Sequence, residues 1–370
     1  MSHPMLASAN HDETTEQLFV RDLQYWLYTE VEPHERQIAE ELDPGLSHNA
    51  RAEEVFDKLH KEPAFLGWSN MRRTTQELLW DSVWNCVDRQ AGELDAKASE
   101  AAEIGSLTLA EDFQVPDYLE DAHVHLMPGG YGSDTDGVRQ GALMDRGGAV
   151  YMLGRNGGFL NDGRGKAVAA HLASCYPDFQ PEKLVELGCG VGSSVIPVAE
   201  AYPKAEAYAV DVGASVLRYA HARAAHLGAA IHFVQDDAEK TRFADESFDL
   251  VFTAAVMHET SPEAIRNILT ESHRLLRKGG IAVHLEVPVK YETLDLWSQV
   301  IAGMERDYNN EPAWQEATSA DYGALMTAAG FEDVKVGFQD AVLGPDMSAS
   351  KFGEESKGVF LSWFVTSGRK

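Results

Sequence analysis

The stretch Leu184–Ser194, LVELGCGVGSS, is an apolar run that changes into a glycine-rich turn. The apolar residues predict a buried β-strand, and the following residues, SVIPVAEAY, predict a helix. Gly188, Gly190 and Gly192 stand at every second position, where they permit a tight turn and a close approach of the backbone to a ligand. The turn ends at a helix N-terminus, which carries partial positive charge. The stretch therefore predicts a strand–turn–helix unit that holds a cofactor.

Two acidic residues narrow the choice of cofactor. Glu186 precedes the glycines, and Asp211 ends the next predicted strand about twenty residues on, where a carboxylate can accept hydrogen bonds from ribose hydroxyls. A dinucleotide site is similar so far, but its usual third glycine is replaced here by Ser193. A diphosphate gains nothing from the carboxylate of Glu186, whereas an ammonium and a sulfonium do. The residues favour a cationic nucleoside, and an NAD-dependent oxidoreductase on a similar fold is the alternative.

Strand and helix patterns alternate from about Pro181 onward. The predicted strands are KLVELG, EAYAVD, IHFVQD, FDLVFT and GIAVHLEV, and the predicted helices between them are SVIPVAEAY, ASVLRYAHARAAHLG and PEAIRNILTESHRLLRKGG. The last helix is predicted to begin after Ser261, with Pro262 at its first position, and to end at Gly279-Gly280. Such alternation predicts a parallel sheet covered on both faces. The runs DVKVGFQD and GVFLSWFVTSGRK predict a final antiparallel pair.

Four segments of this region follow one another in a familiar order and spacing: VELGCGVGSS, AYAVDVGASVL, FVQDDAEKTRFADESFDLVFTAAVMHE and HRLLRKGGIAVHLEV. They resemble the class I S-adenosylmethionine-dependent methyltransferases, and among them the small-molecule branch similar to the ubiquinone/menaquinone-biosynthesis methyltransferases. The resemblance implies an α/β fold with a Rossmann-like seven-stranded sheet whose last strand is antiparallel. It also implies S-adenosylmethionine as cofactor, S-adenosylhomocysteine as product, and in-line displacement of the methyl group by a small-molecule acceptor. A non-catalytic protein that binds S-adenosylmethionine and regulates another process is a further alternative.

The resemblance assigns residues to each part of the cofactor. It implies Glu186, Gly188, Cys189, Gly190 and Gly192 along the methionine half, Asp211 at the ribose, Val212 against the adenine, Asp237 at the adenine amino group with Ala238 beside it, and Thr253 near the methyl group. Asp236 stands where relatives often have glycine, so that either of the two adjacent aspartates can reach the adenine. Cys189 is expected to be a small packing residue, because in this class the methyl group passes directly to the acceptor.

His258 and Glu259 follow the fourth predicted strand directly, at the carboxyl edge of the sheet where ligands of α/β folds bind. They are candidate general bases, since a histidine titrates near neutral pH. A base is needed only for an acceptor that arrives protonated, because positioning alone supplies much of the rate. The alternative is that His258 caps the following helix or packs on the cofactor.

The glycine-rich segment before the sheet supplies further candidates. Tyr131 is a candidate catalytic residue, and His125, Tyr151 and Arg155 are candidate substrate contacts. His123 and His125 alternate on an extended segment and share a face, but no third ligand is evident, so that we expect substrate contact or structure rather than a metal. Trp297, in the insertion after the fifth strand, is a candidate substrate contact with core packing as the equal alternative. No residue pattern decides whether oxygen, carbon or sulfur is methylated.

The chain divides into three predicted regions: a helical lid or dimerisation domain at 1–110, a glycine-rich connecting segment at 111–165, and a catalytic domain at 166–370. We expect the connecting segment to consist of ordered loops that reach the active site. The apolar N-terminal helices make a homodimer plausible.

Composition limits the partners. The 370 residues carry a formal net charge of −28, which disfavours nucleic acids and anionic membranes as partners. No apolar run approaches the roughly 20 residues of a membrane helix. The N-terminus lacks the basic start and apolar core of a secretory signal, and only three cysteines are present. The sequence therefore predicts a cytoplasmic protein that acts on a small molecule and binds neither nucleic acid nor membrane.

Overall fold

The structure is a computed structural model that describes residues 2–42, 52–120, 122–134, 137–151, 155–344 and 346–370. Its α-helices are α1 (His11–Trp26), α2 (Glu32–Leu42), α3 (Ala52–Leu59), α4 (Pro63–Asp88), α5 (Ala91–Ser99), α6 (Asp117–Glu120), α7 (Arg139–Tyr151), α8 (Gly163–Cys175), α9 (Val195–Ala201), α10 (Ala214–His226), α11 (Pro262–Leu275), α12 (Leu296–Tyr308), α13 (Trp314–Ser319) and α14 (Tyr322–Ala328). Its strands are β1 (Ser106–Thr108), β2 (Lys183–Leu187), β3 (Glu206–Asp211), β4 (Ile231–Gln235), β5 (Phe248–Ala254), β6 (Leu276–Glu286), β7 (Glu332–Asp340), β8 (Phe352–Gly353) and β9 (Ser362–Arg369).

One mixed sheet organises the fold, with the strand order β1-β4-β3-β2-β5-β6-β9-β7-β8. The strands from β1 to β6 in this order pair in parallel, and β9 runs antiparallel to both β6 and β7. The seven strands from β4 to β7 give the sheet that the family resemblance implies, and the predicted closing antiparallel pair is confirmed. The short edge strands β1 and β8 were not predicted.

The central strands are buried on both faces because their successive side chains point into two different cores. Leu184 and Leu250 belong to the cluster on one face, and Val185 and Val251 belong to the cluster on the other. Full burial of an aliphatic side chain of this size stabilises a fold by about 1.5–3 kcal/mol. The near-continuous apolar character of the strands therefore reflects a sheet covered by helices on both sides.

The helix α11 begins as predicted and ends earlier than predicted. The Ser261 hydroxyl accepts a hydrogen bond from the backbone N–H of Ala264 at 3.1 Å, and Pro262 occupies the first turn. The expected end at Gly279-Gly280 is wrong, because Leu276 already pairs with Phe248 as part of β6. The strand β6 thus starts directly after the helix.

The N-terminal helices pack against the sheet through α7 and α10. Val83 and Val87 of α4 share one buried cluster with Leu143 of α7 and Tyr219 of α10. The expectation of connecting loops is wrong for Arg139–Tyr151, which form the helix α7. Within the described residues, none of the helices combines the length and apolar character that crossing a membrane requires.

Candidate active site

The glycine turn between β2 and α9 adopts a backbone that favours glycine. Gly188, Gly190 and Gly192 have φ angles of +74°, +50° and +73°. A Cβ at Gly188 would lie 2.8 Å from the side chain of Val256, and one at Gly190 would lie 2.7 Å from that of Met144. Gly192 faces inward, where a Cβ would lie 3.2 Å from the Phe233 ring. The turn therefore keeps its backbone open to a cleft at the carboxyl edge of the sheet.

Asp211 fixes this turn from the end of β3. Its carboxylate accepts hydrogen bonds from the backbone N–H of Gly190 at 2.8 Å and of Gly213 at 3.0 Å. Burial raises the pKa of Asp211, although these two backbone donors act in the opposite direction. The carboxylate has lone pairs left for a ligand, so that it can bind ribose hydroxyls while it holds the turn.

Glu186 is a buried carboxylate that lacks a partner on one oxygen. The residue is 1% exposed, and its Oε2 has no hydrogen-bond partner in the described structure. Burial raises the pKa of Glu186 well above its usual range, with Asp211 acting in the same direction and Arg164 against it. A buried unpaired carboxylate is costly unless a ligand completes it. The residue therefore fits the ammonium group of an S-adenosylmethionine molecule.

The two adjacent aspartates after β4 both line the cleft but differ in their partners. The carboxylate of Asp236 accepts hydrogen bonds from the backbone and the guanidinium of Arg242, at 2.8 and 3.1 Å. Asp237 accepts a local bond from the backbone N–H of Glu239 at 2.8 Å, and burial raises its pKa. Asp237 is therefore the freer of the two for an adenine amino group.

The cleft is partly open to solvent and joins the glycine turn, the carboxyl ends of the central strands and residues from the segments before β2. The predicted residues that line it are His125, Tyr131, Tyr151, Glu186, Gly188, Cys189, Gly190, Asp211, Val212, Asp237, Ala238 and Glu259. Burial raises the pKa of the Cys189 thiol well above its usual range, so that this side chain stays protonated near neutral pH.

Glu259 is the centre of a polar cluster in this cleft. Its Oε1 accepts a hydrogen bond from the Tyr131 hydroxyl at 2.8 Å and lies 2.9 Å from the Nε2 of His125. The Nε2 of His258 is 3.7 Å from the same oxygen. The opposite nitrogen of His125, Nδ1, lies 3.0 Å from Glu311 Oε1. Residues separated by more than a hundred positions thus meet at one carboxylate oxygen.

The charges in this cluster shift its pKa values strongly. Burial acts to lower the pKa of His125, but the charges and hydrogen bonds of Glu311 and Glu259 outweigh it and hold that pKa well above its usual range. Burial also opposes the charge on His258, yet Glu286 and Glu259 raise its pKa to about 9. Burial and the Glu259 charge raise the pKa of Tyr131, so that its hydroxyl remains a donor.

The N-terminal helices contribute to the cluster through the backbone of His125. This residue has φ +56°, a left-handed conformation that costs energy for a non-glycine residue. Its carbonyl accepts hydrogen bonds from the indole Nε1 of Trp80 at 2.6 Å and from Nε2 of Gln76 at 3.0 Å, both on α4. Sequence reasoning missed this role of Trp80, because the tryptophan lies on an ordinary apolar helix face.

Several predicted site residues lie outside the cleft lining of the described chain: Gly192, Thr253, His258, Arg155 and Trp297. Thr253 is buried in β5, where its hydroxyl lies 3.0 Å from Nδ1 of His284. His258 is buried behind Glu259 with its Nδ1 2.7 Å from Glu286 Oε2. Thr253 therefore lies within the sheet, and His258 contacts the cleft only through Glu259.

The two candidate substrate contacts Arg155 and Trp297 are corrected by the structure. The Trp297 ring stacks on Trp68 with centroids 6.0 Å apart, inside the cluster formed by the N-terminal helices and α12. The guanidinium of Arg155 lies 5.8 Å from the Tyr25 ring and 5.9 Å from the Phe360 ring. Trp297 is thus a core residue, and Arg155 contacts rings away from the cleft.

Sequence reasoning also missed cleft residues from three separate segments. Met144 of α7, Asn161, and Arg164 of α8 all line the cleft. Arg164 brings a guanidinium close enough to Glu186 to act on its pKa. These residues precede β2 in sequence and follow no recognised spacing, so that no pattern indicated them.

Comparison with known proteins identifies the family. A family model described as "Methyltransferase domain" matches residues 184–280. An uncharacterised methyltransferase of Synechocystis is 30% identical over 154 residues, which cover 42% of this chain and 68% of that protein. A ubiquinone/menaquinone biosynthesis C-methyltransferase of Rhodopseudomonas palustris is 30% identical over 175 residues, with the same two coverages, 42% and 68%.

A solved structure covers more of this chain than these sequences do, but at lower identity. Phosphoethanolamine N-methyltransferase 2 of Haemonchus contortus, solved with S-adenosylmethionine, covers 61% of this chain and 46% of its own, with 17% identity and a TM-score of 0.42. The assignment therefore rests on the sequence relatives and on the order of the strands. These favour S-adenosylmethionine over the dinucleotide alternative, and the chain belongs to the class I S-adenosylmethionine-dependent methyltransferases.

Proposed function

We propose that this enzyme methylates a small-molecule acceptor that places a hydroxyl or thiol group against Glu259. The observation that carries the proposal is the convergence of Tyr131, His125 and His258 on one oxygen of Glu259, in the cleft that the glycine turn also lines. A polar cluster of this kind in a cleft orients a ligand through few, well-placed contacts.

The cofactor supplies an activated methyl group when it is bound. In our proposal, Glu186 binds its ammonium group, Asp211 binds its ribose hydroxyls and Asp237 binds its adenine amino group. The partnerless Oε2 of Glu186 and the free lone pairs of Asp211 support these roles. Gly188 and Gly190 keep the backbone close to the ligand, since side chains there would collide with Val256 and Met144.

The acceptor's hydroxyl or thiol donates a hydrogen bond to Glu259, which aligns the reacting atom with the methyl group. Glu259 accepts the proton as the bond to the methyl carbon forms and the bond from that carbon to the cofactor sulfur breaks. Tyr131 and His125 hold the Glu259 carboxylate in place through their own hydrogen bonds. His258 lies behind Glu259 and is therefore a positioning residue. Alignment of this kind accounts for roughly 7–11 kcal/mol of barrier reduction in well-oriented reactions.

The relatives extend the range of acceptors to test. The Rhodopseudomonas relative is named as a C-methyltransferase of quinone biosynthesis, and a Mycolicibacterium smegmatis protein 26% identical over 132 residues, which cover 36% of this chain and 46% of that protein, is named as a fatty-acid O-methyltransferase. We therefore propose phenols, enols and thiols as acceptors, and a carboxylic acid enters the panel as a comparison, because its ionised form has no proton to donate to Glu259.

The test uses purified enzyme, S-adenosylmethionine labelled in its methyl group, the acceptor panel and a metabolite extract. We expect a labelled small-molecule product, and S-adenosylhomocysteine in equal amount. Glu259→Gln should lower kcat/KM for the acceptor by about 10- to 150-fold, because a charged hydrogen bond contributes about 1.5–3 kcal/mol. It should leave cofactor affinity, measured by calorimetry, within about threefold of the unmodified value.

The matched control is Glu263→Gln, on the exposed first turn of α11. It should leave both kcat/KM for the acceptor and the cofactor affinity unchanged. Unaltered turnover in Glu259→Gln, or no labelled product from panel and extract together, contradicts the proposal.

A further inference from the structure

We propose that His125, His258 and Glu259 form a binding site for one divalent transition-metal cation at the acceptor end of the cleft. The site deepens the proposed function, on which its role in acceptor binding rests. Metal binding itself can be measured without any acceptor. The sequence alone did not indicate the site, because the partners of His125 lie more than a hundred residues further along the chain.

The ligand atoms are already gathered. One nitrogen of each histidine and one oxygen of Glu259 all lie within 4.8 Å of one another. The Nε2 atoms of His125 and His258 lie 2.9 and 3.7 Å from Glu259 Oε1. Ligand atoms of a tetrahedral site with bonds of about 2.1 Å lie about 3.4 Å apart. Only small side-chain movements are needed to close these three atoms around an ion.

Each histidine is held from behind by a buried carboxylate. His258 Nδ1 lies 2.7 Å from Glu286 Oε2, and His125 Nδ1 lies 3.0 Å from Glu311 Oε1. Glu286 and Glu311 are 4% and 1% exposed. A histidine that binds a metal almost always donates its other N–H to such a partner, which fixes the ring and directs the second nitrogen at the ion. Here two histidines each have a buried carboxylate on one nitrogen and direct the other nitrogen toward Glu259, which is the arrangement expected of metal ligands.

The supporting groups are themselves fixed by the fold. Glu286 accepts hydrogen bonds from the backbone N–H groups of Val256 and Met257, at 2.9 and 2.6 Å. The carbonyl of His125 is held by two side chains of α4, as described above. Precise placement of this kind is what a metal site requires and a solvated ion pair does not.

The donor atoms indicate the class of metal. Two imidazole nitrogens and one carboxylate oxygen suit zinc, iron(II), cobalt(II) or nickel(II), whereas magnesium and calcium prefer sites made of oxygen atoms. His125 and Glu259 line the cleft, so that a cation bound between them leaves coordination positions open toward it. The hydroxyl or thiol of an acceptor can occupy such a position, in place of a direct hydrogen bond to Glu259.

The experiment measures metal binding on the full chain after treatment with a chelator. Cobalt(II) and zinc(II) are added with magnesium as comparison, and binding is followed by calorimetry and by the visible absorption of cobalt(II). We expect one equivalent of cobalt(II) with an absorption spectrum of a low-symmetry nitrogen and oxygen site, displaced by zinc(II). Magnesium should bind at least 100-fold more weakly.

The variants separate this site from adventitious binding. His258→Ala and Glu259→Ala should each lower the cobalt(II) affinity at least 100-fold, while His123→Ala, two residues from His125, should leave it unchanged. Retained S-adenosylmethionine binding and an unchanged circular dichroism spectrum show that a variant is folded. Glu259→Gln is a second, milder variant that keeps one carbonyl oxygen and should weaken binding less.

The outcomes distinguish the two proposals. A free-ion cobalt spectrum in the unmodified protein, or equal affinity in His258→Ala, overturns the metal site and leaves the hydrogen-bonding cluster of the proposed function intact. Normal metal and cofactor binding without any methylated product overturns the proposed acceptor chemistry alone.

Discussion

At the scale of single residues, the cofactor role that we propose for Glu186 has a cost in stability. Its buried carboxylate keeps a raised pKa in the folded chain, so that the folded protein binds this proton more tightly than the unfolded one. Stability therefore falls as pH rises above the ordinary glutamate pKa. Glu186→Gln removes this cost, and we expect the free energy of unfolding at pH 7 without cofactor to rise by about 1–3 kcal/mol.

The same substitution should weaken S-adenosylmethionine binding by about 10- to 150-fold, because the charged hydrogen bond to its ammonium group is lost. Denaturant titration and calorimetry measure the two effects. Glu182→Gln, an exposed position directly before the same strand, is the control and should change neither. A Glu186→Gln variant that is less stable and binds equally well contradicts this role.

The residues that we propose for the cofactor could be located from the sequence because they lie at the ends of three successive strands. Glu186, Asp211 and Asp237 each lie at or just after the end of a strand, and the sheet brings those ends together. Glu311 and Trp80 could not be predicted, since only packing of distant helices brings them to His125. Site residues held by tertiary contacts leave no periodic signal in one sequence.

At the scale of elements, the helix α4 holds His125, at the end of the cleft that we propose for the acceptor. Trp80→Phe removes the hydrogen bond to the His125 carbonyl and leaves Gln76 as the remaining donor. We expect kcat/KM for the acceptor to fall about 5- to 10-fold, since a net hydrogen bond contributes about 1 kcal/mol. Steady-state kinetics check this, and cofactor affinity should change by less than about threefold.

The control is Trp84→Phe, one turn further along α4. The ring of Trp84 lies under the guanidinium of Arg139, with 4.2 Å between the centroid and the Cζ atom, and outside the cleft lining. It should leave acceptor kinetics unchanged. Equal kinetic losses in both variants would show that α4 acts through stability alone.

The edge strand β1 depends on one glycine before it. Gly105 has φ +71°, and a Cβ there would lie 2.1 Å from the backbone oxygen of Ile231 at the start of β4. Gly228 has φ +75° with nothing within 4 Å of its Cβ position. Gly228→Ala should cost about 1–2 kcal/mol from the backbone conformation alone.

Gly105→Ala should cost at least about 2 kcal/mol more than Gly228→Ala, because the clash displaces β1 from β4. Chemical denaturation compares the two variants. Hydrogen exchange should show faster exchange at Ser106–Thr108 only in the first. Equal losses of unfolding free energy in Gly105→Ala and Gly228→Ala would mean that displacing β1 from β4 costs no stability.

The elements that could be predicted are those long enough to show a period. Five of the six parallel strands and their helices follow from apolar runs and caps, whereas the sixth, β1, and the antiparallel strand β8 have only three and two residues. The sequence did not predict the helix α7, because glycines are typical of loops. Gly141 and Gly147 are instead close contacts, where a Cβ would lie 2.3 Å from the side chains of Tyr219 and Trp80.

At the scale of the whole molecule, a buried histidine makes stability depend on pH where α8 meets the antiparallel end of the sheet. His171 lies 3.2 Å from Gln339 Oε1 of β7 and 2.9 Å from Ser367 Oγ of β9. Because the Gln339 amide donates to Ser350, its oxygen accepts from the histidine Nδ1–H, and the Ser367 hydroxyl donates to Nε2. This arrangement holds the neutral ring.

Burial, together with the charge of Lys335, lowers the pKa of His171 to about 4, although the Gln339 hydrogen bond acts against them. Between the ordinary histidine pKa of about 6.5 and this value, the unfolded chain binds a proton that the folded chain does not. Stability is therefore full above about pH 6.5 and is lost as pH falls toward 4. The loss from this residue is about 2 kcal/mol at pH 5.

His171→Gln should lower the free energy of unfolding at pH 7. The further loss of that free energy between pH 7 and pH 5 should be smaller than in the unmodified protein by about 2 kcal/mol. His11→Gln, on the exposed first turn of α1, should keep the original slope. Denaturant unfolding at the two pH values measures both. The free energy of unfolding of His171→Gln should still fall somewhat with pH, because burial also lowers the pKa of His284 in β6, to about 3. An unchanged slope in His171→Gln would mean that His171 takes up a proton without unfolding, through local opening of α8 from the sheet.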